Sequence, residues 1–412
     1  MCKNALYSSC IAAVMSTMSY SAYADPDVYI RRRDLMPNEV IAPVIVEEVQ
    51  PVVVEPIPGL QFNGIMETGG YVNIGQYGAD EDFLPSALSV QNPQKPKNFG
   101  LISPSLRLSV KKESWFRGSI IEFIAKGGID KKAARLSAAY MRHKKFDLGL
   151  AKSSFCVPVD AGEIGVPCSS VKNSTMQIRW KPQLGDRFKA ALGLEQAANL
   201  DPYPEIEKEA DKLRQPFVVG GNIPAVAASL ESELGAEAGV KITVAGLFRA
   251  VDLYDTASRD TIFLYTWGAN FSTIVELVPA KTALKIYGVY GEGIGSYLVD
   301  FGATPKQHRK DVYLSSGVLT PLTTYGGYIC LGHNFSSKLE SVIAGGALDV
   351  KDAEARGEDH YKMGAYGTAS LVYKPTEQVA IGGGYIYAGR KVVSSTDMEH
   401  AHRLYTELSY SF

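Results

Sequence analysis

The sequence has no long apolar run beyond its first residues, and this limits the class of protein. Past residue 24, no stretch reaches the roughly 20 consecutive apolar residues that a membrane-spanning helix needs. The longest uncharged stretch, residues 312–337, is rich in Gly, Thr and Ser and contains Pro321, so it is a poor helix. The chain is therefore either soluble or crosses a membrane as strands.

Charge and tryptophan are also scarce. Charged residues make up 21% of the 412 residues, and there are 3 Trp against 23 Tyr. The formal net charge of −2 is too balanced for a nucleic-acid surface. The 39 Gly, together with the many Tyr, suit short strands joined by turns and argue against a mainly helical protein.

The N-terminal region predicts export. Residues 1–24 have a positive start at Lys3, a mostly small or apolar stretch, and the sequence Ala22-Tyr23-Ala24 before Asp25, which is typical of a signal-peptide cleavage site. Residues 25–66 form an arm rich in Pro, Val and Glu. Because repeated Pro breaks helices and removes strand hydrogen bonds, we expect this arm to be extended or disordered.

Residues 67–412 show a different pattern, in which segments of about ten residues alternate apolar and polar side chains between turns, as in transmembrane barrels. The last segment is the clearest example, with Leu404, Leu408 and Tyr410 opposing Arg403 and Glu407. A soluble β-sandwich could alternate in the same way. The terminal Phe412 favours a bacterial outer-membrane barrel, where we expect it to act as the C-terminal signal for the barrel-assembly machinery.

The fold class predicted is all-β, a 16-stranded antiparallel transmembrane barrel with short periplasmic turns and long outer loops. Residues 336–338 and 374–377 are predicted to be inner turns. Residues 311–320 also alternate, but an even number of strands then requires them to belong to a long loop on the outer side. Long outer segments are expected near residues 78–98, 156–173, 198–223 and 292–321. The predicted strands start near residues 67, 99, 115, 133, 146, 174, 186, 224, 237, 260, 280, 322, 338, 361, 378 and 400.

Several ordered motifs resemble the DcaP-like trimeric porins. They are RLSAAY (135–140), LGLAKSSF (148–155), AGLFR (245–249), YGEGIGSYL (290–298), LTTYGGYICLGHNFSSKLES (322–341), IGGGYIYAGRKVV (381–393) and HRLYTELSYSF (402–412). The resemblance implies a homotrimeric porin in outer-membrane lipid that passes small, mainly anionic solutes such as dicarboxylates. The chain departs from the family pattern at Pro224-Ala225, Ser229, Glu340 and Gly384.

The polar faces of the predicted strands also indicate an anion-attracting lumen, independently of the family. These faces carry nine basic candidates and only three acidic ones, which are Glu122, Glu195 and Glu407. The alternative is that many of these residues pair with one another or with loop carboxylates. The predicted basic pore-lining residues are Arg107, Lys111, Arg135, Arg179, Lys189, Lys241, Arg249, Lys285 and Arg403.

Two cysteines predict a disulfide. Cys156 and Cys168 flank a short segment of the third outer loop in an exported protein, so we expect them to be bonded. In sixteen-stranded porins this loop commonly folds inward, where the bond would stiffen a constriction. The alternative is a surface loop closed against proteolysis. Cys330 lies in a strand, as a buried or lipid-facing thiol.

Nothing in the sequence predicts catalysis, a cofactor or a metal site. His400 and His402 share a strand face but lack further ligands, and no Ser, His and carboxylate converge. Two hypotheses remain for the barrel. It is a porin for passive diffusion of small anionic solutes, or a structural or adhesin-like surface protein with a plugged lumen.

Overall fold

The computed structural model describes residues 60–75, 77–78, 83–90, 99–113, 119–128, 134–157, 169–196, 217–219, 223–234, 239–255, 259–302, 311–315, 318–351, 353 and 360–412. The predicted signal peptide lies outside these ranges, as does the predicted arm up to residue 59. The first strand begins at Leu60 and not near residue 67, because residues 60 to 66 already pair with the next strand. The arm boundary predicted at residue 66 was therefore placed too late.

Sixteen long strands form one antiparallel sheet. They are β1 Leu60–Ile74, β2 Phe99–Glu113, β3 Ser119–Gly128, β4 Ala134–His143, β5 Phe146–Lys152, β6 Ser174–Trp180, β7 Phe188–Glu195, β8 Ala225–Leu234, β9 Val240–Asp255, β10 Thr261–Val278, β11 Thr282–Glu292, β12 Thr323–Asn334, β13 Leu339–Val350, β14 Tyr361–Tyr373, β15 Val379–Val392 and β16 Glu399–Ser411. From β2 onward each strand begins within four residues of its predicted start, which confirms the predicted order.

The sheet closes on itself. Consecutive strands pair along the chain, and β1 pairs with both β2 and β16, so none of the sixteen strands is an edge. The parity argument is confirmed too, because Val312–Ser315 and Val318–Pro321 form a separate hairpin outside the barrel sheet. A short piece, Phe217–Val219, pairs with the end of β9.

The alternation of side chains defines the two faces of the barrel. On β10, Trp267 and Phe271 are exposed on the outer surface, whereas Thr266, Gly268 and Asn270 are buried on the inward face. Other strands repeat the alternation, with large apolar side chains outward and mostly small or polar ones inward, although Leu247 and Leu348 are apolar and face inward. None of the helices in the described part of the chain is both long and apolar enough to cross a bilayer.

One end of the barrel, here called the short-turn end, has tight connections such as the one at residues 144–145. The opposite, long-loop end carries three connections whose described parts fold into the lumen. They are L1 (residues 75–98, between β1 and β2), L3 (residues 153–173, between β5 and β6) and L6 (residues 293–322, between β11 and β12).

Candidate pore lining

L3 crosses the lumen. It leaves β5, yet the Asn270 side chain on the inward face of β10 donates a hydrogen bond to the Phe155 carbonyl at 2.6 Å. The Phe155 ring also reaches Gly268, where an added Cβ would lie 2.9 Å from it. At the start of L3, the Ser154 amide donates to the buried carboxylate of Glu195 at 2.7 Å. Glu195, predicted to line the pore, thus anchors the loop.

L6 pairs with L3 inside the barrel. The Lys172 amide donates to the Tyr297 carbonyl at 2.8 Å, and the Val299 amide donates to the Ser170 carbonyl at 2.9 Å. L1 joins them, because the Ser86 amide donates to the Asp300 carboxylate at 2.9 Å. The three loops therefore narrow the long-loop half of the lumen as one interlocked unit.

Two predicted pore-lining arginines are buried by these loops. Arg249 has no exposed surface and forms an ion pair with Asp311 of L6 at 2.6 Å. Arg403 stacks over the Tyr71 ring at 3.7 Å and the Phe83 ring at 4.3 Å, and donates to Asn73 at 2.8 Å. Both face inward as predicted, but they hold loops and do not face an open pore.

In the short-turn half of the lumen, the charged side chains are partly exposed and form ion pairs with one another. Lys189 contacts Glu231 at 3.3 Å and Glu233 at 2.8 Å, and Lys241 contacts Glu231 at 3.0 Å. The alternative that lumen cations pair with carboxylates is thus confirmed for Lys189, Lys241, Arg179 and Arg249.

The remaining predicted pore-lining charges lie on other strands of the barrel. Arg107 and Lys111 lie on the inward face of β2, and Lys285 lies opposite Cys330 on the inward face of β11. Glu407 lies on the inward face of β16. Arg135 lies in β4 and Glu122 in β3, but their side chains are outside the described part of the structure.

Four inward-facing groups converge at the short-turn end, and the prediction included only one of them. The Asp147 carboxylate is 1% exposed and contacts Arg142 at 2.7 Å, Arg179 at 2.7 Å and Lys181 at 2.5 Å. We call these residues the Asp147 cluster. It consists of Arg142, Asp147, Arg179 and Lys181.

The sequence carried a signal for part of this cluster. Asp147 alternates with Phe146 and Leu148, so the polar face of β5 could have been assigned directly. Arg142 was hidden by an irregularity in β4, where Leu136 and Met141 both face outward although they are five residues apart. An extra residue there shifts the alternation and turns Arg142 inward.

Of the predicted Cys156–Cys168 disulfide, the structure describes only Cys156. Cys156 is a free thiol whose sulfur accepts a hydrogen bond from the Asn173 amide at 3.1 Å. Burial raises the pKa of this thiol. Cys168 lies outside the described residues, so the bond itself stays a prediction. Cys330 is buried on the inward face of β12, one of the two positions expected for it.

The two histidines considered as metal ligands lie near the long-loop end of β16. Their ring centroids are 5.6 Å apart, and His402 Nδ1 lies 2.5 Å from the Tyr385 hydroxyl. No group of three or more His, Cys, Asp or Glu that could hold a metal is found within the described ranges.

Comparisons with known proteins were made by sequence and by structure. No protein-family model and no curated protein matches the sequence. The structure is similar to the outer membrane channel DcaP of Acinetobacter baumannii, with a TM-score of 0.70, 14% identity, and coverage of 86% of this chain and 97% of that one.

Two further similarities are weaker. An anion-selective porin from Comamonas acidovorans has a TM-score of 0.51 at 10% identity, covering 86% of this chain and 99% of that one. OprB of Pseudomonas putida has a TM-score of 0.53 at 9% identity, covering 86% and 94%. The sixteen-stranded barrel of this chain thus has a fold similar to that of the DcaP channel, in agreement with the resemblance of its sequence motifs.

Proposed function

We propose that this protein is an outer-membrane porin for the passive diffusion of small anionic solutes, with its short-turn end in the periplasm. The closed barrel with an apolar outer face supports a membrane location. The similarity to DcaP and to the anion-selective Comamonas porin supports a channel. Transport would depend on pore radius and charge, and the proposal assigns no catalytic role.

One observation carries the preference for anions. Among the described ion pairs on the inward wall from β4 to β9, at the short-turn end, five basic side chains accompany three carboxylates, a net charge of +2. The basic residues are Arg142, Arg179, Lys181, Lys189 and Lys241, and the acidic ones are Asp147, Glu231 and Glu233. In a narrow, poorly screened channel, such an excess attracts anions.

The reversal potential in a planar bilayer under a KCl gradient tests this proposal. Its sign is expected to show anion selectivity. Substituting both Lys189 and Lys241 with Gln brings the wall charge from +2 to 0, so the potential should move towards zero. Arg259→Gln is the matched control, because Arg259 is exposed in the connection between β9 and β10. Cation selectivity of the native protein contradicts the proposal.

The interlocked loops favour the second hypothesis, a plugged structural or adhesin-like barrel, and the same experiment distinguishes the two. A plugged barrel would give no steps in the bilayer. We include assembly as a homotrimer in the proposal because the sequence motifs resemble those of trimeric porins. Chemical cross-linking in detergent followed by denaturing electrophoresis tests it, and a single monomer band would contradict it.

A further inference from the structure

Three side chains with metal-binding atoms lie on the outer face of the barrel, in β16 and the residue before it. Met398, His400 and His402 are spaced two residues apart, so their side chains point to the same side of the extended chain. Leu404, the next residue of this series, is exposed on the outer surface, whereas Arg403 is buried on the inward face. The three side chains therefore lie outside the lumen, near the long-loop end.

The two imidazole rings are close enough to bind one ion. The ring centroids of His400 and His402 are 5.6 Å apart. A metal bound to an imidazole nitrogen at about 2 Å lies about 3 Å from the ring centroid, so two rings that share an ion have centroids up to about 6 Å apart. The observed separation therefore fits a shared metal ion.

The Met398 sulfur lies beside these rings. An added Cβ at Gly389 would lie 2.5 Å from this sulfur, and Gly389 is the residue of β15 directly opposite His400. The Tyr387 hydroxyl donates to the same sulfur at 3.6 Å, and the centroid of the Tyr387 ring is 5.6 Å from that of His402. The thioether thus occupies the space that the missing side chain of Gly389 leaves next to the histidines.

Hydrogen bonds prepare both rings for coordination. The His400 Nδ1 lies 3.2 Å from the Met398 carbonyl, and because a carbonyl only accepts, this nitrogen carries the proton. Its Nε2 therefore keeps the lone pair that a metal needs. The His402 Nδ1 contacts the Tyr385 hydroxyl at 2.5 Å, so Nε2 is again the nitrogen left for a metal. Metal-binding histidines are typically held in this way through their second nitrogen.

The charge and softness of the ligands indicate the kind of ion. A thioether and two neutral imidazoles carry no charge, and the Glu399 carboxylate accepts from Arg390 at 2.8 Å instead of joining them. Within the described ranges, no carboxylate or thiol forms a group of three with the two histidines. Thioether and imidazole ligands suit Cu⁺, whereas Zn²⁺ sites usually include thiolate or carboxylate ligands, or a third histidine.

We propose that Met398, His400 and His402 form a binding site for a soft monovalent metal ion, Cu⁺, on the outer face of the barrel. Tyr385 is a positioning residue that orients the His402 ring, and Tyr387 holds the sulfur in place. The site lies outside the lumen and does not depend on the proposed pore function. Purified protein can therefore be tested for metal binding whether or not it conducts ions.

Calorimetric titration of the folded protein in detergent with Ag⁺, a redox-inert substitute for Cu⁺, tests the proposal in chloride-free buffer. The native protein should bind Ag⁺ more tightly than Zn²⁺. Met398→Leu keeps the apolar volume but removes the sulfur, so it should weaken Ag⁺ binding at least as much as the loss of an outer-shell partner, roughly tenfold. Its Zn²⁺ binding, which uses the imidazoles, should stay at the native level.

Met176→Leu is the matched control. Met176 is exposed on the outer face of β6, so this variant removes a thioether from the same surface away from the two histidines. Cysteine sulfur also binds soft metals, but every variant keeps its cysteines, and the difference between variants therefore isolates the site. Equal Ag⁺ affinities of Met398→Leu and Met176→Leu would overturn the proposal, as would native binding of Zn²⁺ that is tighter than that of Ag⁺.

Two further variants test the geometry without removing a ligand. Gly389→Ala adds a methyl group where the Met398 sulfur lies, so it should displace the sulfur and weaken Ag⁺ binding as Met398→Leu does. Tyr385→Phe removes the partner of the His402 Nδ1 and should weaken Ag⁺ binding roughly tenfold. The folded band on semi-native electrophoresis verifies each variant before titration. Native Ag⁺ affinity in both variants would contradict the assigned arrangement.

Discussion

The Arg249 guanidinium lies 2.6 Å from the Asp311 carboxylate, and neither side chain is exposed. Arg249 comes from the wall strand β9 and Asp311 from L6, so this pair ties the loop to the barrel. Arg249 also donates to the Thr266 hydroxyl at 2.8 Å and to the Gly293 carbonyl. The pair explains why an inward-facing arginine does not contribute to an open pore.

Asp311→Asn is expected to destabilise the barrel by about 3 kcal/mol, because it leaves the Arg249 charge buried without a counter-charge. Urea unfolding in detergent, followed by loss of the folded band, measures this change. Substituting Arg249 with Met and Asp311 with Leu together should recover much of the loss, since no buried charge remains. A single variant as stable as the native protein would contradict the assigned role.

Arg403 provides a contrast between packing and selectivity. Its guanidinium stacks between Tyr71 and Phe83, so Arg403→Gln should lower stability by roughly 1 to 2 kcal/mol. The reversal potential should stay close to the native value, because this charge is buried. Lys241→Gln should instead change the reversal potential and leave the stability close to the native value. A large selectivity change in Arg403→Gln would show that the arginine faces the permeant ions.

Gly268 is the point where L3 and L6 both meet the wall. An added Cβ would lie 2.8 Å from Ile294 of L6 and 2.9 Å from Phe155 of L3. Gly268→Ala is therefore expected to displace both loops, destabilise the barrel by about 1 kcal/mol and change the single-channel conductance. Gly246→Ala is the control, since its nearest atom would be 3.8 Å away. Equal effects of the two substitutions would argue against loop displacement.

The barrel was predictable because its rules are local. Alternation with a period of two marks each strand, and the even strand number assigned residues 311–320 to a loop correctly. The start of β1 was placed too late because the Pro-rich composition up to Pro58 was extended to residue 66, although Leu60, Gln61, Phe62 and Asn63 already alternate. Pairing with β2 and β16 places these residues in the sheet, and such long-range pairing leaves little trace in the segment itself.

The pore lining was less predictable than the strands. Alternation placed Arg249 and Arg403 on the inward face correctly, yet whether an inward residue meets water or a loop depends on L1 and L6. Sequence alternation does not indicate that these loops fold into the lumen, even at residues 311–320 of L6, where it is present. Arg142 was missed because a single irregular position in β4 reverses the faces beyond it. The inward and outward faces of a strand can therefore be predicted from alternation only where no irregular position interrupts the strand.

Asp300 gives the interlocked loops a pH dependence. Burial raises the pKa of Asp300 above its ordinary value of 3.8, although hydrogen bonds from Tyr361 and Ser86 oppose this shift. The closed loops therefore bind the proton more tightly than the open ones. Their stability is fully present below the ordinary pKa and falls as pH rises through the raised pKa.

Asp300→Asn imitates the protonated form and should remove this dependence. The measurement is the urea midpoint of the native protein minus that of the variant at several pH values. The difference should become more negative as pH rises from 4 to neutrality, while other titrating groups cancel. A difference that does not change with pH would contradict the role of Asp300.

Phe412 closes the seam between the first and last strands. Its amide donates to the Gly64 carbonyl at 2.9 Å, and its own carbonyl accepts from the Gly64 amide at 2.8 Å. Its ring covers Gly64, where an added Cβ would lie 2.1 Å from the ring. Two roles of Phe412 can therefore be tested, recognition by the assembly machinery in cells and packing of the seam.

Two substitutions separate these roles. Phe412→Ala should lower the folded fraction in cells if the assembly machinery recognises the ring, yet allow refolding from urea into detergent, where no machinery is present. Gly64→Ala keeps the terminal aromatic but forces the ring away, so it should impair refolding in detergent as well. The heat-modifiable band measures both fractions. If Phe412→Ala fails equally in cells and in detergent, seam packing alone accounts for the residue.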